Sequence, residues 1–282
     1  LTFKPTYVFI HFSSISSIPF LIYNLFLNKK FKVITHCHGT DVYGSSFNKY
    51  LSQKAFETSD YVLAPSEHVK KYLLKEFSIT CPVYVTYSGG VEQPSKEPKT
   101  IINKIEELKL GYVSTINEKK GFYLLIEALQ SINLNQKVNL KIAGHIEDYE
   151  KYSQHINKFD SNVQIEYFGL LKREELHKIY ASIDVFIFPT TLPESLGLVG
   201  IEAMSYGRPI IASRIGAIPE YLSDNVDGFL FSPRNINELQ TAILAFSSMS
   251  PEEYLEMSKN AKEKSLNFDS QKYRKVLKKI FI

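Results

Sequence analysis

Short apolar, β-branched runs alternate along this chain with longer stretches in which apolar residues recur every three or four positions. The runs Tyr7–His11, Lys32–His36, Tyr61–Pro65 and Val83–Tyr87 read as strands, with helices such as Phe20–Leu27 and Ser66–Glu76 between them. The polar, proline-bearing segment Glu92–Lys99 then breaks the pattern and reads as an interdomain linker. Beyond it the alternation becomes regular. Strands are expected at Lys109–Ser114, Val138–Ala143, Val163–Phe168, Asp184–Phe188, Pro209–Ser213 and Gly228–Phe231. Helices such as Gly121–Gln130, Arg173–Ala181 and Asn235–Phe246 fill the gaps, and the tail from Pro251 is helical throughout. Strands that alternate with helices build parallel sheets from βαβ units. The fold class is therefore α/β, with two Rossmann-like doubly wound domains, and ligands belong at the carboxyl ends of the strands. Residues 1–97 form the first domain, 98–266 the second, and 267–282 a terminal helix that could pack back on the first. A doubly wound half usually opens with a strand and a glycine-rich turn. No glycine precedes Gly39, so the first domain is expected to be truncated at its front.

Composition narrows the partners. A hydrophobic content of 44% with 22% charged residues suits a soluble globular protein with a real core. The net charge of +3 is too small to argue for nucleic acid, and fits anionic small molecules or an anionic membrane surface. Cys37 and Cys81 are the only cysteines, which excludes a disulfide framework and suits a reducing cytoplasm. From Tyr7 to Asn28 no Asp, Glu, Lys or Arg occurs, but His11, Pro19, Asn24 and several serines favour a buried strand and helix over a membrane span. Lys29, Lys30 and Lys32 follow directly and would suit peripheral contact with the inner face of a membrane.

The most informative segment runs from Phe188 to Met204. A strand ends at Phe188, Pro189 and Pro193 hold an extended loop, and a helix begins near Gly197. A helix N-terminus offers unpaired N–H groups and partial positive charge, and Gly197 removes a side chain that would block a phosphate. Glu194 precedes this terminus and Glu202 lies about a turn and a half inside the helix. Eight helical residues span about 12 Å, comparable to a sugar-diphosphate-ribose. Two glutamates eight residues apart are commonly no more than solvated side chains. Glu202, however, sits between Ile201 and Ala203-Met204 in an apolar helix, where an unpaired charge is costly, so a partner is expected.

This Glu194-x7-Glu202 run resembles the signature of the retaining nucleotide-sugar glycosyltransferases of family 4, which have the two-domain GT-B fold with a cleft between the domains. The segments Ala203–Ser213 and Gly216–Glu220 resemble the same family. The resemblance implies that Glu194 contacts the donor sugar, that the backbone of Ser195, Leu196, Gly197 and Leu198 holds the diphosphate, and that Glu202 binds the ribose. It places the Lys120-Gly121 pair after the first strand of the second domain, where a lysine can neutralise the leaving diphosphate. The family's arginine five or six residues earlier is replaced here by Ser114 and Thr115. Those hydroxyls, with Lys119, are candidates for making up the diphosphate contacts. Gly169 and Leu170 match the turn that passes the nucleotide base. His38-Gly39-Thr40-Asp41 matches the His-Gly motif that faces the donor across the cleft, which makes His38 a candidate catalytic group beside Glu194, with Asp41 ordering its loop. Ser88-Gly89-Gly90 resembles the family's turn before the linker. Asp184 and Glu220 match family positions and read as structural.

His36-Cys37-His38 also has the look of a metal half-site, but close ligands without a distant set are weak evidence. There is no Asp-x-Asp in the sequence, so no metal and no cofactor is expected, only a nucleoside diphosphate sugar as donor. The expected reaction is transfer of that sugar to a hydroxyl of a saccharide or lipid-linked acceptor, in polysaccharide or glycolipid synthesis. The alternatives are a nucleotide-sugar 2-epimerase on the same fold, or a non-catalytic nucleotide-sugar-binding chain, since the absent arginine and glycine-rich front would both weaken catalysis.

Overall fold

A computed structural model describes residues 6–26, 31–39, 41–95, 107–134, 136–157 and 162–281. Lys29, Lys30, Thr40, the second half of the expected linker and the 97/98 domain boundary lie outside the described residues. The chain folds as two compact units, Leu1–Gly90 with Ser270–Ile282, and Val91–Asp269.

Unit 1 holds a four-stranded sheet, β1 (Tyr7–His11), β2 (Lys32–His36), β3 (Tyr61–Ala64) and β4 (Val83–Val85), in that spatial order. Every pairing is parallel. The helices α1 (Ile18–Phe26), α2 (Ser46–Thr58) and α3 (Glu67–Glu76) make the crossovers. Ser45 caps α2 and Ser66 caps α3, each accepting a backbone N–H three residues on. Side chains alternate across a pleated strand. On β3, Val62 and Ala64 therefore join Phe56, Val69, Leu73 and Phe77 in one core, while Leu63 turns to the other face with Ile34. That second face is closed by the chain's last helix, α11 (Ser270–Phe281), through Val276, Leu277 and Ile280. β4 ends two residues earlier than its β-branched run suggests. A 3-10 turn at Tyr87–Gly89 replaces it, with Tyr87 and Ser88 held at φ 47° and 52°.

Unit 2 holds six parallel strands: β5 (Glu107–Val113), β6 (Lys137–Ala143), β7 (Val163–Tyr167), β8 (Val185–Phe188), β9 (Ile210–Ser213) and β10 (Gly228–Phe231). Their spatial order is β10-β9-β8-β5-β6-β7. β8 and β9 are buried at every position, as strands covered on both faces must be. The covering helices are α4 (Phe122–Ser131), α5 (Tyr149–Ile156), α6 (His177–Ser182), α7 (Leu198–Ser205), α8 (Ile218–Tyr221), α9 (Ile236–Ser247) and α10 (Pro251–Ser265). The expected helix at Arg173–Ala181 is split into a 3-10 turn at Arg173–Glu175 and α6, because Glu175 reaches back to the Lys172 N–H and closes a separate first turn. Among the described residues, no helix is long and apolar enough to cross a membrane.

Candidate functional site: a crevice in unit 2

The strand order of unit 2 reverses between β5 and β8. Chain segments leaving neighbouring strands on opposite sides of such a point open a crevice at their carboxyl ends. Two loops flank it here. The loop after β5 carries Lys120, and the loop after β8 carries Glu194. Their side chains meet, with Lys120 Nζ 2.6 Å from Glu194 Oε1. The lysine side chain is about one-third exposed and the carboxylate 14% exposed, so one end of the pair faces water.

The loops are stitched together by backbone and hydroxyl groups. Thr191 donates its N–H to the Lys119 carbonyl at 2.9 Å, and the buried Thr190 hydroxyl reaches Glu194 Oε1 at 3.1 Å. Asn117 Oδ1 accepts the Lys120 N–H. Gly121, at φ 72°, lets the first loop pass so close to Pro189 that a Cβ there would sit 1.8 Å from its carbonyl oxygen. Only glycine fits both that conformation and that approach. From the other side, Ala217 donates its N–H to the Glu194 carbonyl at 3.0 Å. The Gly216–Glu220 segment, singled out in the sequence, thus holds the Glu194 backbone in place.

α7 begins just after Gly197, where the sequence places a helix start. Gly197 occupies its N-cap at φ 84° and offers no side-chain oxygen to the first turn. The Gly200 N–H turns back to the Gly197 carbonyl at 3.0 Å, and the start of the helix has the N–H groups and partial positive charge that suit an anion. Ser195 and Gly197 are half-buried, and Leu196 is buried. Glu202 has the partner its apolar surroundings require: Tyr180 donates its hydroxyl at 2.9 Å to Oε2, and Arg173 Nη2 lies 3.5 Å from Oε1. Burial still holds the Glu202 carboxyl above the usual carboxylate range, with Tyr180 and Arg173 opposing it. Tyr180 is itself positioned by Arg208, which is buried and donates to the Tyr180 and Ala181 carbonyls and to the Tyr254 hydroxyl. Sequence reasoning missed Arg208. The available signal was a lone arginine inside the apolar run Met204–Ile211. Glu202, Tyr180, Arg173, Tyr206 and Gln93 line a cavity of about 810 Å³, within the size range of small-molecule sites.

The remaining candidates are placed less closely. Ser114 and Thr115 follow β5. The Ser114 N–H is committed to the Ala143 carbonyl, and the Thr115 carbonyl accepts from Tyr112. Lys119 is exposed. Gly169 stands at φ 70° with its Cα side open, accepting from the Gly144 N–H, and Leu170 beside it is largely exposed. Asp184 accepts the Lys109 N–H at 2.8 Å and ties β8 to β5, a structural contact. In unit 1, His38 follows β2, and Asp41 accepts its N–H at 3.0 Å as well as the N–H and hydroxyl of Ser13. The loop-ordering role expected of Asp41 is visible in those bonds.

The description "Glycosyl transferases group 1" matches residues 95–264. The chain belongs to that glycosyltransferase family. It is 29% identical to the sulfoquinovosyl transferase SQD2 of Arabidopsis thaliana over 196 residues, 66% of this chain and 37% of the plant protein. It is 30% identical to the MMP alpha-(1->4)-mannosyltransferase of Mycolicibacterium hassiacum over 195 residues, 69% of this chain and 46% of that protein. The chain thus spans less than half the length of these two relatives. Among solved structures, sucrose-phosphate synthase from Thermosynechococcus elongatus superposes with a TM-score of 0.81 at 20% identity, covering 98% of this chain and 73% of that one. Anabaena Alr3699/HepE, solved with UDP and glucose, superposes with a TM-score of 0.78 at 21% identity, covering 94% and 75%. These likenesses establish the GT-B type of α/β fold.

Proposed function

We propose that this glycosyltransferase is a retaining enzyme of the family 4 type, which moves a sugar from a nucleoside diphosphate to an acceptor hydroxyl. The observation that carries the reading is the Lys120–Glu194 pair at the switch point of the unit 2 sheet, followed along the chain by a helix start without a side-chain cap and by Glu202 within that helix. A diphosphate entering there meets Lys120 and the α7 N–H groups in the same place. Lys120 then exchanges Glu194 for phosphate, and the freed carboxylate accepts hydrogen bonds from sugar hydroxyls. Glu202 accepts from the ribose hydroxyls, with the base towards Gly169 and Leu170.

In the transfer step the bond between the anomeric carbon and the diphosphate oxygen breaks. The acceptor oxygen bonds to the same face, and its proton passes to the departing phosphate. Charge developing on the diphosphate is met by Lys120 and the helix start, so the step runs without a metal. Electrostatic stabilisation of this kind is commonly the largest catalytic contribution. His38 supplies a polar group for the acceptor side. The acceptor is a saccharide or lipid-linked hydroxyl of polysaccharide or glycolipid synthesis, and peripheral membrane contact is supported by exposed Ile22 and Tyr23 on α1.

The test is a panel of nucleoside diphosphate sugars assayed with the whole protein, beside Glu194→Ala and Glu202→Ala. Turnover should fall with the first and donor affinity with the second, and product NMR should give a retained anomeric configuration. If neither substitution alters binding or turnover, the reading is wrong.

A further inference from the structure

The donor-binding residues proposed above belong to unit 2. Unit 1 gathers a different chemistry. His11 is the last residue of β1, His36 the last of β2, and His38 follows two positions later. One ring nitrogen from each lies within 4.8 Å of the other two. His11 Nδ1 and His38 Nε2 are 3.2 Å apart. Three nitrogens bound to one ion at about 2.1 Å in tetrahedral directions are separated by about 3.4 Å. Small side-chain movements would therefore bring the set to coordination distance.

We infer that His11, His36 and His38 form a binding site for a divalent transition-metal ion of the zinc class, held by three imidazoles with a further position open. The distant ligand that a His-x-His alone lacks is His11, delivered by the parallel pairing of β1 with β2, in which His11 is the register partner of His36.

His36 is buried and His38 half-buried, so the set lies partly out of water. The tautomer of His36 follows from its neighbour. The Thr86 hydroxyl donates to the Ala64 carbonyl at 3.2 Å, so its lone pair receives the His36 Nε2–H at 3.4 Å. His36 Nδ1 is left as a buried lone pair without a hydrogen-bond partner. A hydroxyl or carbonyl on the far nitrogen is the usual way a ligating imidazole is oriented. The His11 Nδ1–His38 Nε2 hydrogen bond requires a proton on one of the two facing nitrogens. In the proposed site that proton moves to the outer nitrogen of the same ring, and both inner lone pairs face the ion.

The rings are held before any ion arrives. Phe12 stacks on His38 at 4.2 Å and Phe9 on His11 at 5.0 Å, while Asp41 fixes the His38 backbone. Cys37 takes no part. It is fully buried in the apolar core, and burial pushes its thiol up, away from the thiolate a metal requires. A set of imidazoles without carboxylates selects zinc, cobalt, nickel or copper over magnesium or calcium.

The test is titration of chelator-treated whole protein with Co²⁺, followed by visible absorption, and with Zn²⁺ in competition. One ion per chain is expected. His11→Ala and His38→Ala should each weaken binding by at least about 100-fold, and Thr86→Val, which removes only the orienting hydroxyl, by about tenfold. Circular dichroism establishes that each variant is folded. No binding below millimolar Co²⁺, or equal affinity in the folded variants, overturns the site. Zn²⁺ should also inhibit sugar transfer, because it engages the His38 nitrogen. That consequence rests on the proposed function. Stoichiometric binding without inhibition would overturn the role given to His38 and leave the metal site standing.

Discussion

The two units solve the problem of placing polar groups at strand ends in different ways. In unit 2 the strand order reverses between β5 and β8, so two loops part at the strand ends, and the side chains they carry there, Lys120 and Glu194, form an ion pair. In unit 1 the described strands follow chain order, β1 to β4, without a reversal. Its concentration of chemistry is made by side chains alone, three imidazoles at the ends of β1 and β2 and just beyond. A crevice from topology suits a large, extended anion. A cluster of imidazole rings suits a compact cation or a hydroxyl. The difference supports placing the proposed donor site in unit 2.

The substitution that should strike hardest at this contrast is Lys120→Ala. It leaves Glu194, 14% exposed, without its cation and removes the lysine paired with it at the proposed diphosphate position. Loss of one preorganised charge at a transition state costs about 10²–10³ in turnover. Unit 2 should stay folded, because the ion pair is open to water at one end. Steady-state assay beside a thermal melt checks both halves. An unchanged kcat would remove the switch-point pair from catalysis.

Next in size is Ile280→Ala. Ile280 is 2% exposed and packs against Ile34 and Leu63 on one face of the unit 1 sheet. Deleting such a side chain costs about 2–5 kcal/mol. The loss should fall on unit 1 and leave nucleotide binding by unit 2, measured calorimetrically, within twofold of the parent. If nucleotide affinity falls in step with the melt, the units do not respond separately.

Ile280 also marks what the sequence could disclose. Every strand of both sheets was legible, because parallel strands buried on both faces read as short apolar runs, and their ends fell within about two residues. The start of α7 and the need for a Glu202 partner were legible for a related reason: glycine and an isolated charge in an apolar run each carry a local physical meaning. The identity of that partner was not legible. Tyr180 lies 22 positions away, and the lone Arg208, which holds the Tyr180 carbonyl, signals burial in the sequence without disclosing which groups it bonds. The histidine cluster was half legible. His36 and His38 stand out, while His11 joins them only through the β1–β2 register. The sequence held these contacts, but in pairings that local pattern does not expose.

A smaller effect is expected of Thr190→Val. The Thr190 hydroxyl is fully buried and has three acceptors within 3.2 Å, the Lys119 and Leu192 carbonyls and Glu194 Oε1, with one proton to give. Valine keeps the volume and removes that donor. Leaving buried acceptors short costs about 1–3 kcal/mol in stability. Because Thr190 acts through Glu194, kcat should fall by about tenfold with KM for the donor little changed. A change confined to the melting temperature would make Thr190 purely structural.

The smallest effect is also the most diagnostic. Burial holds the Glu202 carboxyl above its ordinary value of 4.5, so the folded protein keeps that proton at a higher pH than the unfolded chain does. The resulting contribution to stability is complete below 4.5 and is lost as pH rises through the raised folded value. At neutral pH the ionised Glu202 therefore costs stability, and Glu202→Gln should raise the Tm of unit 2, by an amount corresponding to at most about 1 kcal/mol. The gain should vanish when both proteins are melted near pH 4, where the parent carboxyl is itself protonated. Nucleotide affinity should move the other way, by about tenfold or more, since an amide accepts ribose hydroxyls less well than a carboxylate. Stability gained and affinity lost by one substitution is the pattern of a charge kept in unfavourable surroundings for a ligand. If Glu202→Gln loses stability at every pH, the bonds from Tyr180 and Arg173 outweigh burial, and Glu202 is a structural residue whose place in the cavity is incidental.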